Sequence, residues 1–285
     1  MSRLIYVFQG SLAGFLFGTA SIFIRLLPRL DALSLGFARL TLAAIFMFLM
    51  AVTLERQSLK ATTRVQSRLL LLLGSFLGLH FVFFITAVKN TSIVNATTLV
   101  NTTPAMTLVI SWILRQASPS KVNILGLLIT LSGITSMSLA EFSISPSNIL
   151  GDVSALGGAF FWALYLTFGK DLRERASPVT VMPSLYLLSA LVLAAAAYLV
   201  GGGLLLPVTA ELPPLLAVAF IPTVLGHTLH FSSLKGLKSF EASTLALLEP
   251  VVASVLAFLV FGEAPAASFY LSAAVTLLGI YLVLR

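Results

Sequence analysis

Long apolar runs separated by short polar breaks fill this chain from end to end. A helix that crosses the hydrocarbon core needs about 20 mostly apolar residues. Reading between charges, glycines and prolines gives ten such runs. In the first half they cover 4–25, 32–54, 69–88, 92–114 and 122–141, and in the second half 149–170, 179–200, 213–234, 240–261 and 267–284. The pattern predicts an all-α integral membrane protein with ten transmembrane helices.

The second half repeats the first. At a fixed offset of 146 positions, Lys89 falls on Lys235, Thr98 on Thr244, Pro104 on Pro250, Pro119 on Pro265 and Gly133 on Gly279, part of 12 identities between positions 89 and 134 without a gap. Apolar composition matches leucines by accident, but not two prolines, a glycine and a lysine in one register. Two five-helix units are expected, 1–141 and 149–285. With an odd number of spans in each, the copies must lie in the membrane with opposite orientation.

Composition sharpens this picture. The chain is 58% hydrophobic and 9% charged, with a mean hydropathy of +1.04, against roughly 25% charged residues in a soluble domain. Its exterior is therefore expected to face lipid. The absence of cysteine excludes disulfides and thiolate metal sites, and no cofactor is expected. The net charge of +7 is spread between the apolar runs, so it reads as a topology signal and nucleic acid is not an expected partner. With the N-terminus inside, 13 of the 17 Lys and Arg residues fall on the cytoplasmic side, and only Arg25, Arg29 and Lys89 on the other. Both termini are then cytoplasmic and the chain is a multi-pass protein of the cytoplasmic (inner) membrane. The first apolar run lacks a cleavage context and is kept as a span, not a signal peptide.

These features resemble the drug/metabolite transporter superfamily in its ten-helix EamA-type branch. The resemblance rests on Gly14-Phe15-Leu16-Phe17-Gly18-Thr19, on Phe160-Phe161-Trp162-Ala163-Leu164-Tyr165, and on Arg39 in the second span. It also rests on the proline-centred spans around Pro104 and Pro250, on Pro119 and Pro265 in the following turns, and on Glu263 after Gly262. It implies a secondary carrier of small metabolites, often an exporter, that works by alternating access without ATP.

An ionisable group at mid-bilayer costs about 2.5–3.5 kcal/mol on insertion scales, so it should face protein or water. Glu249 lies mid-span before Pro250, which removes a donor and leaves the Ala246 carbonyl without its helical partner. It is a candidate for a substrate ammonium or a proton, against the plainer reading of a packing pair with Arg39 or a histidine. His80, with Phe84 one turn on, and His227 with His230 lie in equivalent spans of the two copies. Similarity to YddG-like amino-acid exporters favours His80 and Trp162 as cavity residues. For His227 and His230 a packing role stands equally. Tyr165 one turn from Trp162, and Asn101 and Thr102 on the polar face of the fourth span, complete the candidate substrate site. Arg39 is expected to steady a loop or carbonyl cluster near the outer side, with binding of a substrate carboxylate as the alternative. Gly10, Gly14 and Gly18, and Gly74 and Gly78, form small-residue ridges for helix packing. Pro104 and Pro250 are the candidate gating elements, bending hairpins that close one side while opening the other.

The leading function is export of amino acids or related small metabolites, with a metabolite, membrane lipid and a coupling proton as partners. By the resemblance an aromatic substrate is disfavoured, because aromatic amino-acid exporters carry large aromatic side chains on span four where this chain has Asn101 and Thr102. The alternative carrier reading is an importer or exchanger of a nucleotide derivative or an S-adenosylmethionine-like cation. An intramembrane enzyme is not expected. The chain has no His-Glu-x-x-His, no phosphate-binding glycine–lysine loop, no aspartate pair at helical spacing and no metal-ligand cluster.

Overall fold

Apolar runs bounded by polar caps fold as helices almost throughout the computed structural model, which describes residues 2–144, 149–263 and 267–285. In chain order the helices are α1 (Arg3–Phe17), α2 (Ala20–Arg25), α3 (Ala32–Leu54), α4 (Arg56–Val65), α5 (Ser67–Asn90), α6 (Ile93–Val100), α7 (Thr103–Ile113) and α8 (Lys121–Ile144). The second half holds α9 (Ile149–Arg175), α10 (Pro178–Leu199), α11 (Leu212–Val218), a π-helix (Ala219–His227), α12 (Thr228–Ser233), α13 (Ser239–Leu245), α14 (Leu248–Phe261) and α15 (Phe269–Val283). Among the described residues, seven helical segments are long and apolar enough to cross a membrane. Pro265, expected in the turn before the last span, lies outside the described residues.

Four expected spans are interrupted. The first breaks at Gly18–Thr19, the fourth at Asn101–Thr102 and the ninth at Ala246–Leu247, the last two at matching places in the two halves. The eighth contains the π-helix, and Pro222 explains it locally. Proline has no N–H to give to the carbonyl four residues back. That carbonyl, on Val218, instead accepts the Thr223 hydroxyl at 2.6 Å. The polar stretch after α3, expected as a connection, is the helix α4.

Helix starts follow ordinary capping chemistry. The Asp31 carboxylate accepts from the backbone N–H groups of Leu33 and Ser34 at 2.9 and 3.0 Å, opening α3. Burial pushes that carboxyl up, yet the hydrogen bonds from Ser34 and Leu33 outweigh it and hold it below the usual range. Asp31→Ala is expected to cost about 1 kcal/mol, read as a lower melting temperature in detergent. Ser177 caps α10 in the same way, with Pro178 in the first turn.

Packing runs between the halves. α3 lies on α10, α5 on α9 and α10, α1 on the π-helix and α12, and α8 on α15. Lipid tails are as apolar as leucine, so close fit and not burial from water must hold such helices. Glycines supply that fit. Gly10, Gly14 and Gly18 set α1 against Leu245, Leu248 and Val252, and Gly74 and Gly78 set α5 against Leu188 and Val192 of α10. The glycine ridges noted in the sequence therefore serve packing. Phe8, Phe15, Phe48, Leu71 and Leu271 stay on the perimeter, each more than half exposed.

Charges gather at the two ends. Arg3 reaches Glu241 at 3.2 Å and the Leu284 carbonyl at 2.8 Å, which puts both termini at one end. Lys170 joins that end through the carbonyls of Leu234 and Leu237. At the other end Arg25 holds the Val88 and Thr91 carbonyls, Lys89 holds the Leu27 carbonyl at 2.9 Å, and Arg29 pairs with both oxygens of Glu211 at 3.2 and 2.7 Å.

Candidate functional site

The helix breaks surround a buried cavity between the halves, of about 30 Å³. A cavity needs roughly 10–15 Å³ to admit one water, so this one is contracted, with room for only a few small groups. α1–α2 contribute Phe17 and Ala20, α3 contributes Arg39, and α5 contributes His80, Phe81 and Phe84. The break between α6 and α7 brings Val100, Asn101 and Thr103; α9 brings Trp162, the π-helix His227, and the break before α14 brings Ala246 and Glu249.

Two opposite charges share this space. Arg39 is 1% exposed. Its Nε donates to the Thr223 hydroxyl and its guanidinium carbon lies 4.6 Å from the centre of the Phe81 ring, a cation–π contact. Its Nη1 is buried with no hydrogen-bond partner. Across the site a Glu249 oxygen accepts from Asn101 Nδ2 at 3.3 Å, and the same nitrogen donates to the Thr97 carbonyl at 2.6 Å. Among the described residues Glu249 and Arg39 form no ion pair. A buried donor left unmet is costly, so the free Nη1 marks where an acceptor would gain most.

The aromatic groups form a continuous wall. His80 stacks on Phe84 (5.7 Å between centroids, 10° between planes) and leans on Trp162 at 4.7 Å. His227 meets Trp162 edge-on at 4.9 Å and Phe17 at 4.8 Å. His80 Nδ1 lies 3.0 Å from the Gly158 carbonyl. A carbonyl can only accept, so this nitrogen carries the proton, and in the neutral ring Nε2 is the acceptor. His227 Nδ1 has no partner.

The sequence candidates divide accordingly. His80, Phe84, Asn101, Trp162, His227 and Glu249 all line the cavity. Thr102 does not; it turns back to the Leu99 carbonyl at 2.8 Å and secures the break, while its neighbour Thr103 faces the cavity. Tyr165 is stacked behind Trp162 at 5.1 Å, and His230 is fastened to the Ala242 carbonyl at 2.9 Å, the packing reading. Pro104 and Pro250 sit in the first turns of α7 and α14, just past the two breaks. The Ala246 carbonyl is not left free, because the Glu249 N–H takes it at 2.8 Å.

Arg39 corrects an expectation: it lies in the centre of the site and not beside an outer loop. The signal was in the sequence, since it is one of very few ionisable residues at lipid depth. Tyr186 explains part of its placement, because the Tyr186 hydroxyl donates to the Thr223 carbonyl at 2.8 Å and steadies the π-helix that holds Arg39. Phe17 and Phe81 were not singled out, as 21 phenylalanines offer no way to choose among them.

The family model described as the EamA-like transporter family matches residues 4–139 and again 149–285. A curated relative from Archaeoglobus fulgidus, described as an uncharacterized transporter, is 26% identical over 269 residues, covering 92% of this chain and 91% of that protein. A solved structure described only as the crystal structure of a protein is 17% identical and has a TM-score of 0.79 over 99% of this chain and 96% of that one. That last likeness concerns the fold alone.

Proposed function

Since the chain belongs to the EamA-like transporter family, we propose that it is an ATP-independent carrier that exports amino acids or related zwitterionic metabolites from the cytoplasm. The observation that carries this reading is the pairing of a free Arg39 Nη1 with Glu249 in one buried cavity. Arg39 offers a donor to a carboxylate and Glu249 an acceptor to an ammonium. Asn101 orients Glu249, and Trp162 with His80 covers the substrate between them.

The carrier has ten membrane spans in two inverted five-helix repeats, 1–141 and 149–285, and works by alternating access in the inner membrane with cytoplasmic termini. Support comes from the family model matching each half, from the helix breaks at equivalent places, and from both termini meeting at one end. A cavity of about 30 Å³ cannot hold an amino acid, so substrate entry requires the halves to part. The breaks before Pro104 and Pro250 are the hinges for that motion. Pro104→Ala and Pro250→Ala carriers are expected to bind substrate but move it more slowly; normal rates in both would remove the hinge assignment.

Counterflow in proteoliposomes without ATP tests the main reading. Labelled zwitterionic amino acids should exchange, and their decarboxylated amines should not. The stacked rings of Trp162, His80 and Phe84 beside Glu249 also suit an adenine-bearing cation. Exchange of labelled nucleosides or S-adenosylmethionine with none of amino acids would establish that second reading instead.

A further inference from the structure

We propose that the outer wall of this protein carries a dedicated site for an anionic phospholipid, formed by α3, α4 and α10. A groove of about 390 Å³ opens between these helices, and Ile45, Phe48, Leu59, Thr63, Ser184 and Leu187 are among its walls. Ile45, Phe48 and Leu187 are each more than half exposed on the perimeter. Two of the three helices, α3 and α10, are long and apolar enough to span the membrane. An apolar groove between such helices faces the bilayer, so an acyl chain is the occupant that reaches it.

The third helix selects the headgroup. α4 reads Arg-Gln-Ser-Leu-Lys-Ala-Thr-Thr-Arg-Val, too short and too polar to cross, and Leu59 is its one buried residue. Each residue turns a helix by about 100°, which orders the faces of α4. Thr63 stands about 40° from Leu59, and Arg56, Lys60 and Arg64 follow on that same flank at about 60°, 100° and 140°. Thr62 stands about 60° round the other way and reaches the Thr180 hydroxyl at 3.4 Å, anchoring α4 on α10. The cationic flank therefore borders the groove. Arg56, Lys60 and Arg64 are exposed and make no hydrogen bond or ion pair among the described residues. The neighbouring acid, Glu55, accepts from Ser177 at 2.7 Å. Three unpaired cations above an apolar slot complement a negatively charged headgroup with its chain beneath. A basic juxtamembrane cluster attracts anionic lipid by the same electrostatics, but the groove makes this a site and not only a charged surface.

Native mass spectrometry of the purified full chain with equal phosphatidylglycerol and phosphatidylcholine tests this. Wild type should retain phosphatidylglycerol at least about fivefold better, the order expected from even one effective cation. The R56Q/K60Q/R64Q variant, changed only at exposed positions, should lose that preference. Ser184→Phe, which fills the groove and leaves the cations in place, should lower retention of phosphatidylglycerol as well. Soluble glycerol phosphate should not displace the lipid. Equal retention of the two lipids by wild type, an undiminished preference in the R56Q/K60Q/R64Q variant, undiminished phosphatidylglycerol retention in Ser184→Phe, or displacement by glycerol phosphate would each overturn the proposal.

Discussion

Arg39→Met carriers should bind a zwitterionic amino acid about 10- to 100-fold more weakly than wild type if the proposed export reading holds. The estimate comes from one hydrogen bond to a charged group, worth about 1.5–3 kcal/mol, at about 1.4 kcal/mol per tenfold. Methionine fills much of the same volume without charge but leaves Glu249 buried without a nearby cation, so melting temperature measured beside binding separates a weaker fold from a lost substrate contact. The Thr223 hydroxyl keeps its bond to the Val218 carbonyl at 2.6 Å and is not orphaned. Arg39→Lys should not rescue binding. An ammonium lacks the planar fork that here bonds Thr223, contacts the Phe81 ring and still presents a free donor. A discriminating control compares an amino acid with the amine that lacks its carboxylate. Wild type should prefer the amino acid, and the methionine variant should treat the two alike. If the variant kept the wild-type preference, Arg39 would be a packing residue and the zwitterion reading would fall.

Gly14→Val should cause the largest loss of stability, about 1–3 kcal/mol and toward the upper end. A Cβ at this position would fall onto the Leu245 carbonyl and against the Leu248 side chain. Side chains can rotate away from an intruder; backbone beside a helix break cannot do so without moving α13 and α14. The contact also joins α1 to the segment that carries Glu249, so the variant should lose substrate binding together with melting temperature. Gly202 supplies the contrast, because a Cβ there meets nothing within 4 Å. Gly202→Ala should stay within about 0.5 kcal/mol of wild type. Equal melting temperatures for Gly14→Val and wild type would mean that α1 does not sit against the α13–α14 break as described.

Hydropathy and charge made the membrane setting legible because they follow from transfer free energies that act residue by residue. The fixed-offset duplication was legible for a different reason, since prolines and glycines carry backbone constraints that apolar drift does not erase. Most of the candidate site was legible too. A polar group at lipid depth has to turn inward, so His80, Asn101, His227 and Glu249 could be named before their positions were known.

Rotation and register between helices were not legible, and they separated neighbours of the same chemistry. Thr103 faces the cavity and Thr102 does not; His227 faces it and His230 is tied to Ala242. One residue along a helix is about 100° of rotation, and only contact with other helices decides which residue points inward. The π-turn at Pro222 shifts that phase again, because a turn of i→i+5 bonds carries more residues than an ordinary one. Arg39 shows the same division. Its charge at lipid depth required an interior partner, but Thr223, Phe81 and the free Nη1 depend on where α3 meets the π-helix of the other half. Hydropathy along the chain dictated what had to be buried; tertiary packing decided what each buried group would touch, because partners such as Thr223 for Arg39 and Glu249 for Asn101 lie 184 and 148 residues away and meet only when the halves close together.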